Sequence, residues 1–287
     1  MRGKPVVLIS IVLFAIVVFS VVCFSRDDFR KKVDHNMEIG ESFIREGAGL
    51  SSVRIAVLYE RVNDGIRSVD EVIEILKETH AQMVFRGFWR WVPCPENCSQ
   101  LPGRYRRLCE EKMYSYYHLG IAVSKIKREI PDLIFVGAVP AQIINRRVVW
   151  NPITGEILTY PETWELALDP GKWGLPMSKE EFQCRFGKTH FWVDPEMNCS
   201  DYDPARVTAY FPDITNERFQ ELLLSWAFKQ IDCGVDGIWI DMLFAQTNMM
   251  LRLTGDVNHP AVRESYEAAC KIIDEIRRYG ASKGKYI

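Results

Sequence analysis

Apolar residues occur along the chain in two alternating patterns, short continuous runs and amphipathic segments. The continuous runs predict buried β-strands, and the segments with a single apolar face predict α-helices. The strands are predicted at 53–60, 81–89, 133–140 and 235–242, with a fifth beginning at 285–287. The helices are predicted at 69–80, at about 111–130, from about 216 to Gly234, and at about 260–279. Apolar strands that alternate with helices are typical of a parallel sheet covered by helices.

Local signals define the ends of two of these helices. Ser68 and Glu71 have the spacing of a capping box, which indicates that the first helix begins directly after Ser68. Asp213 or Thr215 is expected to cap the helix that Gly234 ends. These signals fix where the chain turns between strand and helix.

A parallel sheet covered by helices is either an open doubly wound sheet or a closed barrel. The first strand is followed by neither G-x-G-x-x-G nor G-x-x-x-x-G-K-[ST], and the chain contains no G-x-S-x-G motif. We therefore predict an α/β fold with a TIM-barrel-like (β/α) domain over 53–287. An insertion is expected at around 141–210, with a hairpin formed by the stretches RVVW and ILTY. The barrel is expected to be incomplete at its C-terminus, because eight strands are needed and only four full ones are predicted.

The N-terminal segment differs in kind from the rest. Residues Pro5–Phe24 carry no charge, and Arg2 and Lys4 precede them. A helix of this length can cross the hydrocarbon layer of a membrane, which is roughly 30 Å thick. We predict a transmembrane anchor or signal-anchor at 1–24 and a juxtamembrane linker at 25–52, and a cleaved signal peptide is the alternative.

Cysteine usage indicates the side of the membrane on which the domain lies. Cysteines cluster in two loops, at 94–109 and at 184–199, and two N-x-S sequons begin at Asn97 and Asn198. Both features are typical of exported proteins, in which disulfides persist and asparagines are glycosylated. We therefore expect disulfide pairing within these loops and an extracytoplasmic domain.

The cysteines also raise the questions of an unpaired thiol and of a metal site. Seven of the 8 cysteines lie beyond the anchor, so at least one stays unpaired within the chain, with Cys233 and Cys270 as candidates. A zinc site is the weaker alternative, because the C-x3-C pair has no matching His-x3-His or second C-x-x-C. No metal and no cofactor are predicted.

Composition and charge restrict the kinds of partner that the protein is expected to bind. The net charge of the 287-residue chain is −2, and its lysines and arginines are scattered rather than gathered on one segment. Nucleic acid binding needs a concentrated basic face, so no nucleic acid partner is expected. The 47% hydrophobic content suits a packed core, and some of the 8 tryptophans and 15 phenylalanines are candidates for a binding cleft.

One acidic residue ends an otherwise buried run. In GVDGIWIDMLF (234–244), Trp239 and Asp241 point to one face of the predicted strand and the aliphatic residues between them to the other. In a barrel the aliphatic face meets the helices, so Asp241 would lie at the open mouth. Catalytic residues of barrels gather at these carboxyl ends of the strands.

The segment 211–242 resembles the region that leads to the catalytic aspartate of barrel glycoside hydrolases. It is similar to glycoside hydrolase family 31 and to the endo-α-1,4-polygalactosaminidase-like group. In family 31, DxTN/P, a helix and GxDGxWxDM lead to the nucleophile. Asp241 occupies the nucleophile position of this motif. Leu243 and Phe244 replace the small or polar residue and the glutamate that follow in family 31, and the family's general acid belongs to a later strand.

The resemblance assigns one site residue, Asp241, as the candidate nucleophile. Glycoside hydrolysis needs a second carboxyl group, for which Asp194, Asp213 and Glu162 are candidates without a motif of their own, and Asp194 is chosen. Residues near strand ends or in aromatic loops are expected to contact sugar: Arg86, Trp89, Gln142, His190, Trp192 and Trp239.

Two functions follow from the sequence. One is a membrane-anchored glycoside hydrolase-like protein, or the N-terminal portion of one, acting on extracytoplasmic polysaccharide. The other is a catalytically inactive carbohydrate-binding or structural barrel derivative. The expected partners are carbohydrate, the membrane through the N-terminal helix, and a downstream chain that completes the barrel.

Overall fold

The computed structural model of the protein describes residues 50–59, 62, 66–89, 94–148 and 158–285. All of them belong to one unit, Ala48–Ile287. The predicted anchor at 1–24 and nearly all of the predicted linker lie outside the described residues. Within the described part, no helix is both long and apolar enough to span a membrane.

Strands and helices alternate along the described part of the chain. The strands are β1 (Ala56–Leu58), β2 (Met83–Phe85), β3 (Ile134–Pro140), β4 (Ile144–Asn145), β5 (Arg147–Val148), β6 (Leu158–Thr159), β7 (Ala209–Tyr210) and β8 (Gly237–Asp241). The α-helices are α1 (Val69–Glu78), α2 (Gly103–Glu111), α3 (Tyr116–Glu129), α4 (Lys179–Thr189), α5 (Glu217–Asp232), α6 (Ala245–Thr254) and α7 (Pro260–Ser282).

The central sheet has four strands in the order β1-β2-β3-β8, and each neighbouring pair is parallel. The predicted α/β fold with a parallel sheet is thus confirmed. Within the described residues the sheet does not close into a barrel, because β1 and β8 are its two outer strands and do not pair with each other.

Helices cover one face of this sheet. Helix α5 packs against β3 and β8, α3 lies between α1 and α5, and α7 lies between α5 and α6. Val84 and Phe135 point into this main core and are fully buried. Leu58, in register with Phe85 on the other face, is 61% exposed. The core therefore lies on the helical side, and the opposite face of the sheet is only partly covered.

The capping box that the sequence predicts for α1 is confirmed. The Glu71 N–H donates to Ser68 Oγ at 3.2 Å, and the Ser68 N–H donates to Glu71 Oε2 at 2.7 Å. Each of these two bonds satisfies a backbone N–H at the start of the helix that the helix itself leaves unpaired.

The predicted cap of α5 is wrong. Asn216 caps this helix, since its Oδ1 accepts hydrogen bonds from the backbone N–H of Arg218 at 3.0 Å and of Phe219 at 3.4 Å. The Asp213 carboxylate instead pairs with Lys172 and accepts from the Thr215 N–H. Asp213 is thus engaged by other partners and lies three residues before the helix cap. Gly234, with φ at 104°, follows the end of α5 as expected.

Strands β4 to β7 and helix α4 form the insertion between β3 and α5. β4 pairs with β7, and β5 pairs with β6, each pair antiparallel, so the predicted hairpin is confirmed at its base. Helix α4 contributes Phe182 and Phe186 to a second hydrophobic core, which also contains residues of α6 and α7.

Two disulfides tie the cysteine-containing loops, as the sequence predicts. Cys98 bonds to Cys109 and Cys184 bonds to Cys199, with Cα–Cα distances of 5.6 Å in both cases. Cys233 belongs to neither bridge, and its Sγ–H donates to the Tyr116 carbonyl at 3.1 Å. Burial raises the pKa of the Cys233 thiol to about 12, so this cysteine is held as a protonated packing residue.

Candidate functional site at the carboxyl ends of the strands

The carboxyl ends of β3 and β8 lie side by side. Pro140 is in register with Asp241, and the Ala141 N–H donates to the Asp241 carbonyl at 3.0 Å. The backbone of Asp241 is therefore fixed by the sheet, and its side chain emerges where the last rung of the sheet is formed.

Side chains alternate along β8 as predicted. Ile238 and Ile240 pack against the main core on the helical face. Trp239 and Asp241 share the opposite face, where the Trp239 indole N–H donates to Asp241 Oδ1 at 3.3 Å. This bond orients one carboxylate oxygen of the half-buried Asp241 and leaves the other oxygen for a further contact.

An aromatic side chain from another strand completes this face. The Phe85 ring, at the end of β2, meets the Trp239 ring edge-on with the ring centroids 5.1 Å apart. The two rings reach across β3, which lies between their strands. Sequence reasoning missed Phe85, although its position two residues after Met83 in the same strand predicts which face it occupies.

Both β2 and β8 are followed at once by a residue in the left-handed backbone region. Arg86 and Met242 each have φ at 58°. For residues other than glycine this conformation costs roughly 1–2 kcal/mol, and such residues gather at functional sites. The Arg86 guanidinium carbon lies 4.3 Å from the centre of the Trp89 ring, and Trp89 is buried. Arg86 and Trp89, both predicted sugar contacts, thus lie together at the end of β2.

Gln142 follows β3 by two residues and is half-buried. Its side chain makes no hydrogen bond to the residues that the structure describes, which distinguishes it from the glutamines of the helices. Four of those, Gln183, Gln220, Gln230 and Gln246, are buried and bond to irregular or strand backbone. The amide of Gln142 is available to a ligand at the strand ends.

His190 and Trp192 belong to the insertion. They are far in sequence from the strand-end residues and contact the second hydrophobic core. The His190 ring stacks on Phe186 at 4.0 Å and lies 5.2 Å from the Trp192 ring, and Trp192 packs against the second hydrophobic core. His190 Nδ1 is 2.8 Å from Thr189 Oγ1. The structure brings these two predicted sugar contacts together with each other and gives both a packing role at the end of α4.

Asp194, the predicted second carboxylate, lies in an exposed turn. Its Oδ1 accepts a hydrogen bond from the Glu196 N–H at 2.9 Å. The described contacts do not join it to Asp241 or to the strand ends. Asp213 is nearly fully buried and bound to Lys172 and Thr215.

Among the described residues, neither a metal-binding cluster nor a surface groove on the helices coincides with these strand-end residues. No group of three or more His, Cys, Asp or Glu side chains in the described part of the chain could hold a metal ion. A groove of about 830 Å³ lies between α3 and α5, with Tyr117, Ile121 and Lys229 in its lining, and none of the predicted site residues line it. The chemistry at the strand ends and the groove on the helices are thus separate features.

Comparison with known proteins yields no family. No protein family profile matches the chain, and no curated protein is significantly similar to it. Among solved structures, TtGalA, an α-galactosidase from Thermus thermophilus, matches in its complex with p-nitrophenyl α-D-galactopyranoside at 12% identity and a TM-score of 0.38. That match covers 84% of this chain and 37% of the galactosidase, and the stachyose complex matches at the same identity and TM-score over 79% and 39%. The chain thus spans well under half of the galactosidase, and a likeness of this size carries no information on activity.

Proposed function

We propose that this protein is a membrane-anchored glycoside hydrolase that acts on extracytoplasmic polysaccharide, with Asp241 as its nucleophile. The observation that carries the proposal is the position of Asp241 at the carboxyl end of β8, on the face opposite the main core and bonded by the Trp239 indole. Phe85 and Trp239 supply apolar rings beside the carboxylate, which suits a sugar ring. The sequence motif around Asp241 supports the same assignment.

The proposed reaction proceeds by attack of the Asp241 carboxylate on the anomeric carbon. The glycosidic bond breaks, a covalent glycosyl ester forms, and water later cleaves that ester. The leaving oxygen needs a proton from a second carboxyl group, placed roughly 5–5.5 Å from the first in retaining enzymes. Among the described acids, Asp194 is the candidate that the sequence favours for this second role.

Two features support the location outside the cytoplasm. The Cys98–Cys109 and Cys184–Cys199 disulfides are of the kind that persists in oxidising compartments. The uncharged segment Pro5–Phe24 has the length of a membrane anchor. Together they favour a domain held at the outer surface of a membrane.

The test compares two aspartates at the ends of the same strand. Asp241→Asn keeps the volume of the side chain and is expected to abolish hydrolysis across a glycan panel, with a melting temperature close to that of the parent. Asp236→Asn, the matched control, is expected to keep activity and to lower the melting temperature, because Asp236 binds Lys127 and the Phe135 backbone. If Asp241→Asn still cleaves at the parent rate, Asp241 is not the nucleophile.

One observation favours a second function, a non-catalytic carbohydrate-binding domain. Leu243 is buried and Phe244 packs against the main core, so the two residues after Met242 serve packing where family 31 has polar residues. Binding of a glycan by both the parent and Asp241→Asn, without hydrolysis by either, would establish this function instead.

A further inference from the structure

A groove on the helical side of the fold has a sequon asparagine in its lining. Asn97, the first residue of an N-x-S sequon, lines the groove of about 830 Å³ between α3 and α5, together with Tyr117 and Ile121 of α3. Tyr117 is 55% exposed and Ile121 is 44% exposed. Residues four apart share one face of a helix, so these two side chains form an apolar strip along the groove. The proposed catalysis uses none of these residues.

The loop that carries Asn97 is held against both helices of the groove. The Tyr117 N–H donates to the Glu96 carbonyl at 2.9 Å. The Glu96 carboxylate pairs with Lys229 of α5 at 2.7 Å. On the other side of Asn97, Cys98 is buried and belongs to a disulfide. Both neighbours of Asn97 are therefore fixed, and Asn97 is kept in the groove.

The side-chain amide of Asn97 uses only its oxygen within the protein. Its Oδ1 accepts from the Ser99 N–H at 2.9 Å, and its Nδ2 makes no hydrogen bond to the described residues. The second sequon has the same local conformation, since Oδ1 of the exposed Asn198 accepts from the Ser200 N–H at 3.2 Å. In a sequon the amide nitrogen is the atom that takes the sugar. Both nitrogens are available for this, and of the two asparagines only Asn97 lines the groove.

The charged side chains of the groove are engaged by neighbours. Lys125 pairs with Asp70 at 2.6 Å, and Asp232 pairs with Lys283 at 2.7 Å. The Arg128 guanidinium lies 3.6 Å from the carboxylate of the next residue. A charged ligand would have to compete with these pairs. A neutral sugar needs only hydroxyl contacts and an apolar surface such as the exposed tyrosine ring, so the groove suits an uncharged glycan.

We propose that Asn97 carries an N-linked glycan and that its first sugar units lie in the groove against Tyr117 and Ile121. A sugar ring has an apolar C–H face, which suits the tyrosine ring, and hydroxyls, which suit the polar side chains of the lining. N-linked glycans occur on exported proteins. This inference therefore rests on the extracytoplasmic location in the proposed function and is independent of the proposed catalysis.

The modification is a glycosyl transfer to the Asn97 amide. The donor is an oligosaccharide linked to a lipid phosphate, and a transferase of the export pathway catalyses the step. Nδ2 forms a bond to the anomeric carbon while the bond from that carbon to the phosphate oxygen breaks. The phosphate keeps the electron pair, and Nδ2 loses one proton. Cys98 is buried once it is bonded, so the transfer precedes the Cys98–Cys109 disulfide.

The first measurement is the occupancy of Asn97, by mass spectrometry of peptides from the full chain produced in a eukaryotic secretory host. Ser99→Ala removes the sequon and keeps the backbone N–H that bonds Asn97, so the glycan is expected to disappear. Ser99→Thr, the matched control, is expected to keep it. A glycan on Asn198 and none on Asn97 would overturn this inference and leave the extracytoplasmic location standing. No glycan on either asparagine would overturn both.

The second measurement tests whether the glycan occupies the groove. An endoglycosidase is expected to release the Asn97 glycan about tenfold more slowly from the folded protein than from the isolated glycopeptide. Tyr117→Ala is expected to remove most of this protection, whereas Leu253→Ala, an exposed apolar residue of α6 outside the groove, is expected to change nothing. Release from the folded parent at the glycopeptide rate, or full protection in Tyr117→Ala, would show that the groove does not hold the glycan.

Discussion

The two ends of β8 each carry an aspartate, and the structure treats them in opposite ways. Asp236, at the amino end, accepts a hydrogen bond from the Phe135 N–H at 2.7 Å and pairs with Lys127 at 2.5 Å. Asp241, at the carboxyl end, receives a single side-chain bond of 3.3 Å from Trp239 and is followed by Met242 in the left-handed region. The amino end is held by bonds that stabilise the fold, whereas the carboxyl end holds a less satisfied acid beside a strained turn.

This difference is a physical criterion for separating structure from function. A residue with all its hydrogen bonds filled by the protein has little capacity left for a ligand, and its loss is felt in stability. A residue with spare acceptors next to backbone strain is expected to affect binding or chemistry more than folding. The contrast predicts the sign and the size of several substitutions.

The largest loss of stability is expected for a substitution of Gly137 in β3. A Cβ there would lie 2.0 Å from Gln230 Oε1. Gln230 is fully buried, and its amide accepts from the Ala138 N–H at 3.1 Å and donates to the Ala138 carbonyl at 2.9 Å. Gly137→Ala would displace it, with an expected loss of about 3 kcal/mol in the free energy of unfolding.

Denaturant unfolding of Gly137→Ala measures this loss, and Gly103→Ala is the control. No atom lies within 4 Å of a Cβ added at Gly103, the first residue of α2, so that variant is expected to be as stable as the parent. Equal stability of the two variants would show that the Gln230 bonds contribute little.

A smaller loss is expected for Asp236→Ala. Removal of this carboxylate leaves the Phe135 N–H without its acceptor and the Lys127 ammonium without its counter-ion, at an expected cost of about 2 kcal/mol, or roughly 5 °C in melting temperature. Asp241→Ala is expected to shift the melting temperature by no more than about 1 °C. The shifts are measured by calorimetric scans of both variants. Equal or reversed shifts would contradict the contrast between a structural Asp236 and a functional Asp241.

The smallest effect has the opposite sign. Met242→Gly removes the left-handed strain of a residue that is half exposed, and we expect a gain of about 1 kcal/mol in stability. His80→Gly, at a similar φ of 51° after α1, is expected to give a comparable gain. Only Met242→Gly should lower glycan binding or hydrolysis, because only Met242 adjoins Asp241. If Met242→Gly is both more stable and equally active, the strained turn has no part in the site.

Local signals made most of the central sheet predictable. The apolar runs at 133–140 and 235–242 contain β3 and β8, and the Ser68–Glu71 spacing gives the start of α1. Each of these depends on residues close in sequence. Alternation along β8 also gives the shared face of Trp239 and Asp241, because the period of a strand is fixed by its geometry.

What the sequence could not give depends on distant partners. Helices α2, α4 and α6, of 9, 11 and 10 residues, were not predicted. The cap of α5 was assigned to Asp213 or Thr215, yet Lys172, far away in sequence, engages Asp213 and leaves Asn216 as the cap. The buried donors of Arg146 and Tyr202 have no partner among the described residues, and this has no sequence signature, since it is a property of the packed structure.

The long sequence separation of the bonds that join β3 to α5 and to the residue before β8 orders events as the chain is synthesised. Phe135 and Asp236 are 101 residues apart, and Ala138 and Gln230 are 92 apart. The disulfides close loops of only 11 and 15 residues in sequence separation. Short loops close sooner than long ones. During synthesis, both disulfides can therefore form before β8 is available to pair with β3. Until β8 is added, the edge of β3 is exposed to non-native pairing with another strand.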